Sequence, residues 1–335
     1  MDLKRFSLKP MTVGGILDRT FSIYRKNFIA ILGFSALISG LYNLLTLVLN
    51  QALSPPGMMS DPWELIIQGI RIGDFEGFIA GFAEPGPGVE EALQMMLVSF
   101  LTMIIAGLGY IFVEPFVQGG IIHITSQALH GVSVDLSDAF RATGKRYGRL
   151  IATSLSLIAY YIGVSVIGGI IVLMFLVPGL VMGIIAGENP SGGMIALFVV
   201  LLILFLLVLL AFAVISHSLI ALVYPVVVAE GSFHFNAIGR SIKLVGKKFW
   251  KVFGVTALVY LLSYAIIAAM GIFSFGIALF SPIGSVFQEV LTLLISALVL
   301  PIIHIAVTLL YYDLRIRLEG YDLELLTRGM EGMDA

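Results

Sequence analysis

The chain contains no cysteine. That absence excludes disulfides, thiolate metal sites and cysteine nucleophiles together, and it leaves the redox compartment undefined. Charge is also scarce. Asp, Glu, Lys and Arg supply 12% of the 335 residues, roughly half the share of a soluble domain. The net charge is −2, so there is no overall basic field to attract nucleic acid. The phosphate-loop pattern G-x-x-x-x-G-K-[ST] is missing, as are H-E-x-x-H and G-x-S-x-G. No short apolar core with a small-residue cleavage site follows the polar, basic first ten residues, so a cleaved signal peptide is not expected.

Apolar sequence is what the chain has in abundance. Hydrophobic residues make up 59% of it, and the mean hydropathy is +1.04. Apolar runs fall at 28–50, 93–113, 150–177, 194–217, 252–273 and 286–311. Each is long enough to cross about 30 Å of hydrocarbon at about 1.5 Å per residue. Lipid offers no partners to backbone amides, so the runs are expected to be helices. The expected fold is therefore all-α, a single polytopic membrane domain of six transmembrane helices spanning residues 1–335. Of the 19 Lys and Arg residues, all but Arg71 fall on one side of such a layout. The first outer loop, 51–92, instead carries Asp61, Glu64, Asp74, Glu76, Glu84, Glu90 and Glu91. The positive-inside rule then places both termini, including the tail 312–335, in the cytoplasm of a multi-pass cell (plasma) membrane protein.

The basic segments resemble one another. Leu17, Thr20, Phe21, Tyr24 and Phe28 share a helical spacing with Leu136, Ala139, Phe140, Thr143 and Tyr147, and with Ile238, Ser241, Ile242, Val245 and Phe249. Each set forms one mostly apolar stripe. Basic pairs close the stripes: Arg25-Lys26, Lys145-Arg146 and Lys247-Lys248. A proline accompanies each even-numbered span, as Pro115, Pro225 and Pro301. A threefold repeat of two-span units follows, each opened by an amphipathic interfacial helix. The basic pairs are candidate contacts for anionic lipid headgroups, with about 1 kcal/mol per basic residue at such a surface.

The loop 51–92 is broken by Pro55, Pro56 and Gly57 and resumes at Asp61-Pro62, an N-cap followed by a first-turn proline. Gly69, Gly73, Gly77 and Gly81 then make a glycine row, which reads as a flexible loop with a short surface helix or as a docking face.

Ionisable groups within apolar spans are functional candidates. Glu114, before Pro115, is expected near the inner surface, lining a substrate or ion path or simply meeting water. His123, His217 and His304 fall near the inner halves of spans two, four and six. They either converge as a relay or are unrelated histidines with local partners. No second histidine lies three or four residues from any of them, so no helical metal pair and no cofactor are expected.

Residues 308–326 read TLLYYDLRIRLEGYDLELL, and residues 8–28 read LKPMTVGGILDRTFSIYRKNF. Together they resemble a prokaryotic family of six-span proteins named after the membrane domain of glycerophosphoryl diester phosphodiesterase. The resemblance implies the fold and the membrane location, not hydrolysis, which in the name-giving proteins belongs to a separate soluble domain. It supplies no catalytic residues. On physical grounds Tyr311 and Tyr312 belong in an aromatic belt, and Asp313–Arg317 and Arg315–Glu319 can pair along one helix face. That stretch reads as a charged helix leaving the membrane or as a docking element.

The first functional expectation is a non-catalytic scaffold or accessory component in lipid or solute handling, with membrane lipids and a protein partner or second copy as its contacts. The alternatives are a secondary transporter with a site near the kinked even spans, and an intramembrane lipid-processing enzyme using the same groups.

Overall fold

A computed structural model describes residues 9–53, 89–132, 135–186, 191–280, 284–324 and 327. All regular structure among the described residues is helical. Six stretches are long and apolar enough to cross a membrane: Phe28–Leu49, Met96–Leu129, Leu136–Gly179, Gly192–Glu230, Phe249–Ile277 and Ala297–Glu319. The protein is a polytopic helical membrane protein. The expected helix and glycine row of the first loop lie outside the described residues.

Helix α1, Val13–Lys26, starts where Thr12 caps it, its hydroxyl accepting from the amide of Gly15. Its last turn carries Arg25 and Lys26, which complement the negative end of the helix dipole. The chain breaks at Asn27 and continues as α2, Phe28–Leu53. Helix α3, Val89–Leu108, passes through a π-turn at Gly109–Val113 into α4, Glu114–Leu129. Helix α5, Leu136–Ala186, is one continuous helix, so the second amphipathic stretch is the base of a span and not a separate interfacial helix. Nothing between Tyr147 and Leu150 breaks it, whereas Asn27 and Lys248 end their helices. Helices α6 (Gly192–Ile220), α7 (Val223–Glu230), α8 (Phe235–Lys247), α9 (Phe249–Phe280) and α10 (Gly284–Glu319) complete the bundle.

The spans outrun their expected ends on the basic side. The second continues past Val113 to Leu129 and the fourth past His217 to Glu230. The reason is packing. The core is built from these basic-end halves: Ile121 and Ile124 of α4, Val226 and Val227 of α7, and Ile305, Leu309 and Leu310 of α10 are all fully buried. At the other end, side chains such as Val48, Phe100, Ile167, Leu206 and Ile272 are exposed, as lipid-facing residues are.

Two glycines set how closely the helices approach. A Cβ on Gly120 would sit 2.1 Å from the Phe34 ring, and one on Gly109 would sit 2.2 Å from the Tyr42 ring. Only glycine lets α2 lie against the second span at these points.

The stripes pack, rotated from the expected setting in two of three cases. In α1 the buried residues are Ile16, Thr20 and Ile23, while Phe21, and Phe28 at the start of α2, are exposed. In α8 Leu244 is buried and Ile242 exposed. Thr20, Ala139 and Ser241 hold the same place in the three stripes, and all are fully buried.

Each stripe also bonds to a proline-bearing span, in cyclic order. The Tyr147 hydroxyl donates to the carbonyl of Phe112, three residues before Pro115. Ser241 of α8 donates to the carbonyl of Leu219, ahead of Pro225. Tyr24 of α1 closes the ring by donating to the carbonyl of Leu298, three residues before Pro301.

Candidate functional site

The three proline segments meet around one cavity of about 530 Å³. The residues directly before the prolines, Glu114, Tyr224 and Leu300, all line it. Proline removes a backbone N–H and disturbs the helix before it. Ahead of Pro115 the disturbance is the π-turn, in which the Glu114 amide bonds back to the carbonyl of Gly109. Ahead of Pro225 the helix ends at Ile220 and restarts at Val223. Helix α10 runs continuously through Pro301. Broken or distorted helices at membrane depth are where transporters place polar groups toward a cavity.

Glu114 is the acidic centre. Its Oε1 accepts from Gln118 Nε2 at 2.7 Å and lies 3.6 Å from His304 Nε2. The second distance is too long for a good hydrogen bond but within ion-pair range. Gln118 and His304 each stand three residues after a proline, so equivalent positions of two spans address one carboxylate. The Glu114 side chain is 34% exposed and that of His304 14%, both open to the cavity they line. His217 faces the same space, with Nε2 3.1 Å from the Tyr260 hydroxyl. The Tyr224 hydroxyl meets Ser154 Oγ at 3.0 Å. The rest of the wall is mostly apolar, with Tyr42, Tyr110 and Tyr161 adding phenols. A carboxylate beside an imidazole can share or pass one proton, and apolar walls with a few convergent polar groups suit an amphiphilic ligand of modest size.

Of the expected cavity residues, Glu114, His217 and His304 are brought together and His123 is not. His123 lines a different pocket with Arg141 and Arg146. His123 stands eight residues after Pro115, on the part of α4 that continues past the cavity toward the basic end, whereas His304 follows Pro301 by only three. Glu114 also differs from expectation: the span continues past it to Leu129, so it stands within the length of the span and not at its inner end. Among the described residues no group of three or more His, Asp or Glu is placed to hold a metal ion. Neither Gln118 nor Tyr224 carries a signal of its own in the sequence, yet both are reached by counting from the prolines.

The terminal signature is an internal clasp, not an aromatic belt. Tyr311 is fully buried and Tyr312 4% exposed. Asp313, fully buried, accepts from the Met11 amide at 2.6 Å, the Lys251 ammonium and Arg317 Nε. Lys251 and Arg317 both also donate to the Met11 carbonyl. Both expected helix pairs form: Arg317 with Asp313 at 3.0 Å and Arg315 with Glu319 at 3.2 Å. Beside them Arg240 bridges Glu230 and Glu319 at 2.9 and 2.6 Å. Those carboxylates raise the Arg240 guanidinium above its ordinary pKa. The Tyr311 hydroxyl donates to Glu230, and Arg315 lies over the Tyr321 ring at 4.3 Å. This network ties the segment before α1 to α9 and α10. The charged helix that leaves the membrane in the sequence reading is instead buried at the start of its charged stretch.

The anionic-lipid candidates are placed unevenly. Arg25, Lys26, Lys145, Lys247 and Lys248 are exposed, and Arg146 is half-buried. No family model matches the chain, and no curated protein or solved structure matches it.

Proposed function

We propose that the protein is a membrane carrier for an amphiphilic solute, which it binds in the cavity around Glu114. The observation that carries this reading is the meeting of Glu114, His304 and His217 in a 530 Å³ space framed by three proline segments. A scaffold needs no such space, so the cavity favours transport. Glu114 and His304 are the groups through which protonation would be linked to solute binding. The distribution of Lys and Arg supports a cell-membrane setting with both termini cytoplasmic. The resemblance of the two end segments supports kinship with the six-span family named above, in fold and location only.

The test is retention of a native ligand. The full chain, extracted from its own membrane into polymer discs, is compared with Glu114→Gln and Ile303→Trp by mass spectrometry of bound small molecules. A molecule held near one-to-one by the wild type and depleted in both variants is expected. It should then exchange across proteoliposomes in counterflow. Identical bound-molecule profiles in all three proteins would overturn the reading.

A further inference from the structure

A second cavity, of about 500 Å³, lies between α4 and α5 at the basic end. Arg141, Lys145, Arg146 and Arg149 of α5 line it, facing His123 and Gln127 of α4. Arg141, Lys145 and Arg149 stand four residues apart, in one row of the helix. Like charges at that spacing repel one another. Among the described residues none of these four cations is in an ion pair, although Asp138 also lines the pocket. The cations of the neighbouring clasp behave differently: Arg240, Lys251, Arg315 and Arg317 are each paired with a carboxylate.

The pocket is also pre-shaped. Arg146 Nη1 donates to the carbonyl of Ala142 at 3.2 Å, and Arg149 Nη1 donates to that of Gly231 at 3.4 Å. These contacts orient both guanidiniums and leave most of their donors free. A planar fork of donors beside an ammonium suits the oxygens of a phosphate.

We propose that this pocket binds a phosphate group, borne either by the headgroup of an anionic phospholipid or by a free phosphorylated solute. The site is separate from the Glu114 cavity, and it stands whether or not that cavity carries a solute. It concentrates the general expectation of basic lipid contacts into one place, since the Arg25-Lys26 and Lys247-Lys248 pairs line neither cavity.

The test uses the full chain in discs of phosphatidylcholine alone. One arm adds phosphatidylglycerol and counts retained lipids by native mass spectrometry. The other replaces chloride with inorganic phosphate at equal ionic strength and follows thermal unfolding. Retained phosphatidylglycerol assigns the lipid source, stabilisation by phosphate assigns the free one, and both together assign a site open to either. Arg141→Gln with Arg146→Gln should weaken the response at least about tenfold. Lys247→Gln with Lys248→Gln removes the same charge from an exposed pair and should leave it within about twofold. If the first double variant does not fold, Lys145→Gln alone should weaken the response about threefold, and an unchanged response overturns the site. No response in either arm, or equal loss in the two double variants, also overturns it.

Discussion

His304 Nε2 lies 3.6 Å from Glu114 Oε1, and the two residues come from spans that lie almost two hundred positions apart in the chain. The carboxylate already accepts from Gln118, so His304 is the partner free to change. A small shift of either side chain would turn their separation into a direct hydrogen bond. Glu114→Gln should keep the fold, because the side chain is one-third exposed and glutamine still accepts from Gln118. In retention of the native ligand, Glu114→Gln, His304→Gln and the double variant should be non-additive, the double losing little more than either single. Full additivity would separate the two groups.

Glycine contacts give a stability prediction independent of function. Gly120→Ala must displace the Phe34 ring, and overpacking of this kind costs about 1–3 kcal/mol. Gly109→Ala must displace Tyr42, which lines the cavity and donates to the carbonyl of Ile105. It should therefore lower both stability and ligand retention. Gly144→Ala, where a Cβ meets nothing within 4 Å, should be neutral or stabilising by up to about 1 kcal/mol. Thermal unfolding in one detergent ranks the three.

Asp313 should be the most sensitive residue of the clasp. Asp313→Ala leaves the Lys251 ammonium, itself only 18% exposed, without its carboxylate. Breaking a buried pair from one side costs about 3–5 kcal/mol. The variant should unfold at a lower temperature, and the Met11 amide should exchange with solvent faster, because it loses its acceptor. Arg317→Gln, at the more exposed partner, should do less.

The absence of native cysteine makes sidedness measurable without background. Trp63→Cys should react with an impermeant maleimide in intact cells. Lys26→Cys and Lys247→Cys should react only after the cells are opened.

The spans were legible because apolar runs and the placement of Lys and Arg are properties of composition along the chain. Their basic-side ends were not. Residues 115–129 mix Gln118, Gly119, Gly120 and His123 with isoleucines, and this reads as the end of a span when it is the face of a protein core. The three prolines lead to the cavity, and Glu114 is found beside one of them. Of the two readings open for the histidines, neither holds for all three: His217 and His304 share the cavity, while His123 lies farther along α4, in a stretch that reads as the end of the span. The buried clasp was half visible: its two helix pairs follow from spacing, but Met11, Glu230 and Lys251 reach it only through the tertiary fold.

Aqueous access to the Glu114 cavity is measured by reacting single-cysteine variants with a charged thiol reagent in proteoliposomes. Leu300→Cys and Ile220→Cys, in the cavity wall, should react, and bound ligand should slow them. Leu206→Cys, exposed on the apolar outer surface of α6, should stay inert. Cavity cysteines as unreactive as Leu206→Cys would contradict a solute path through this space.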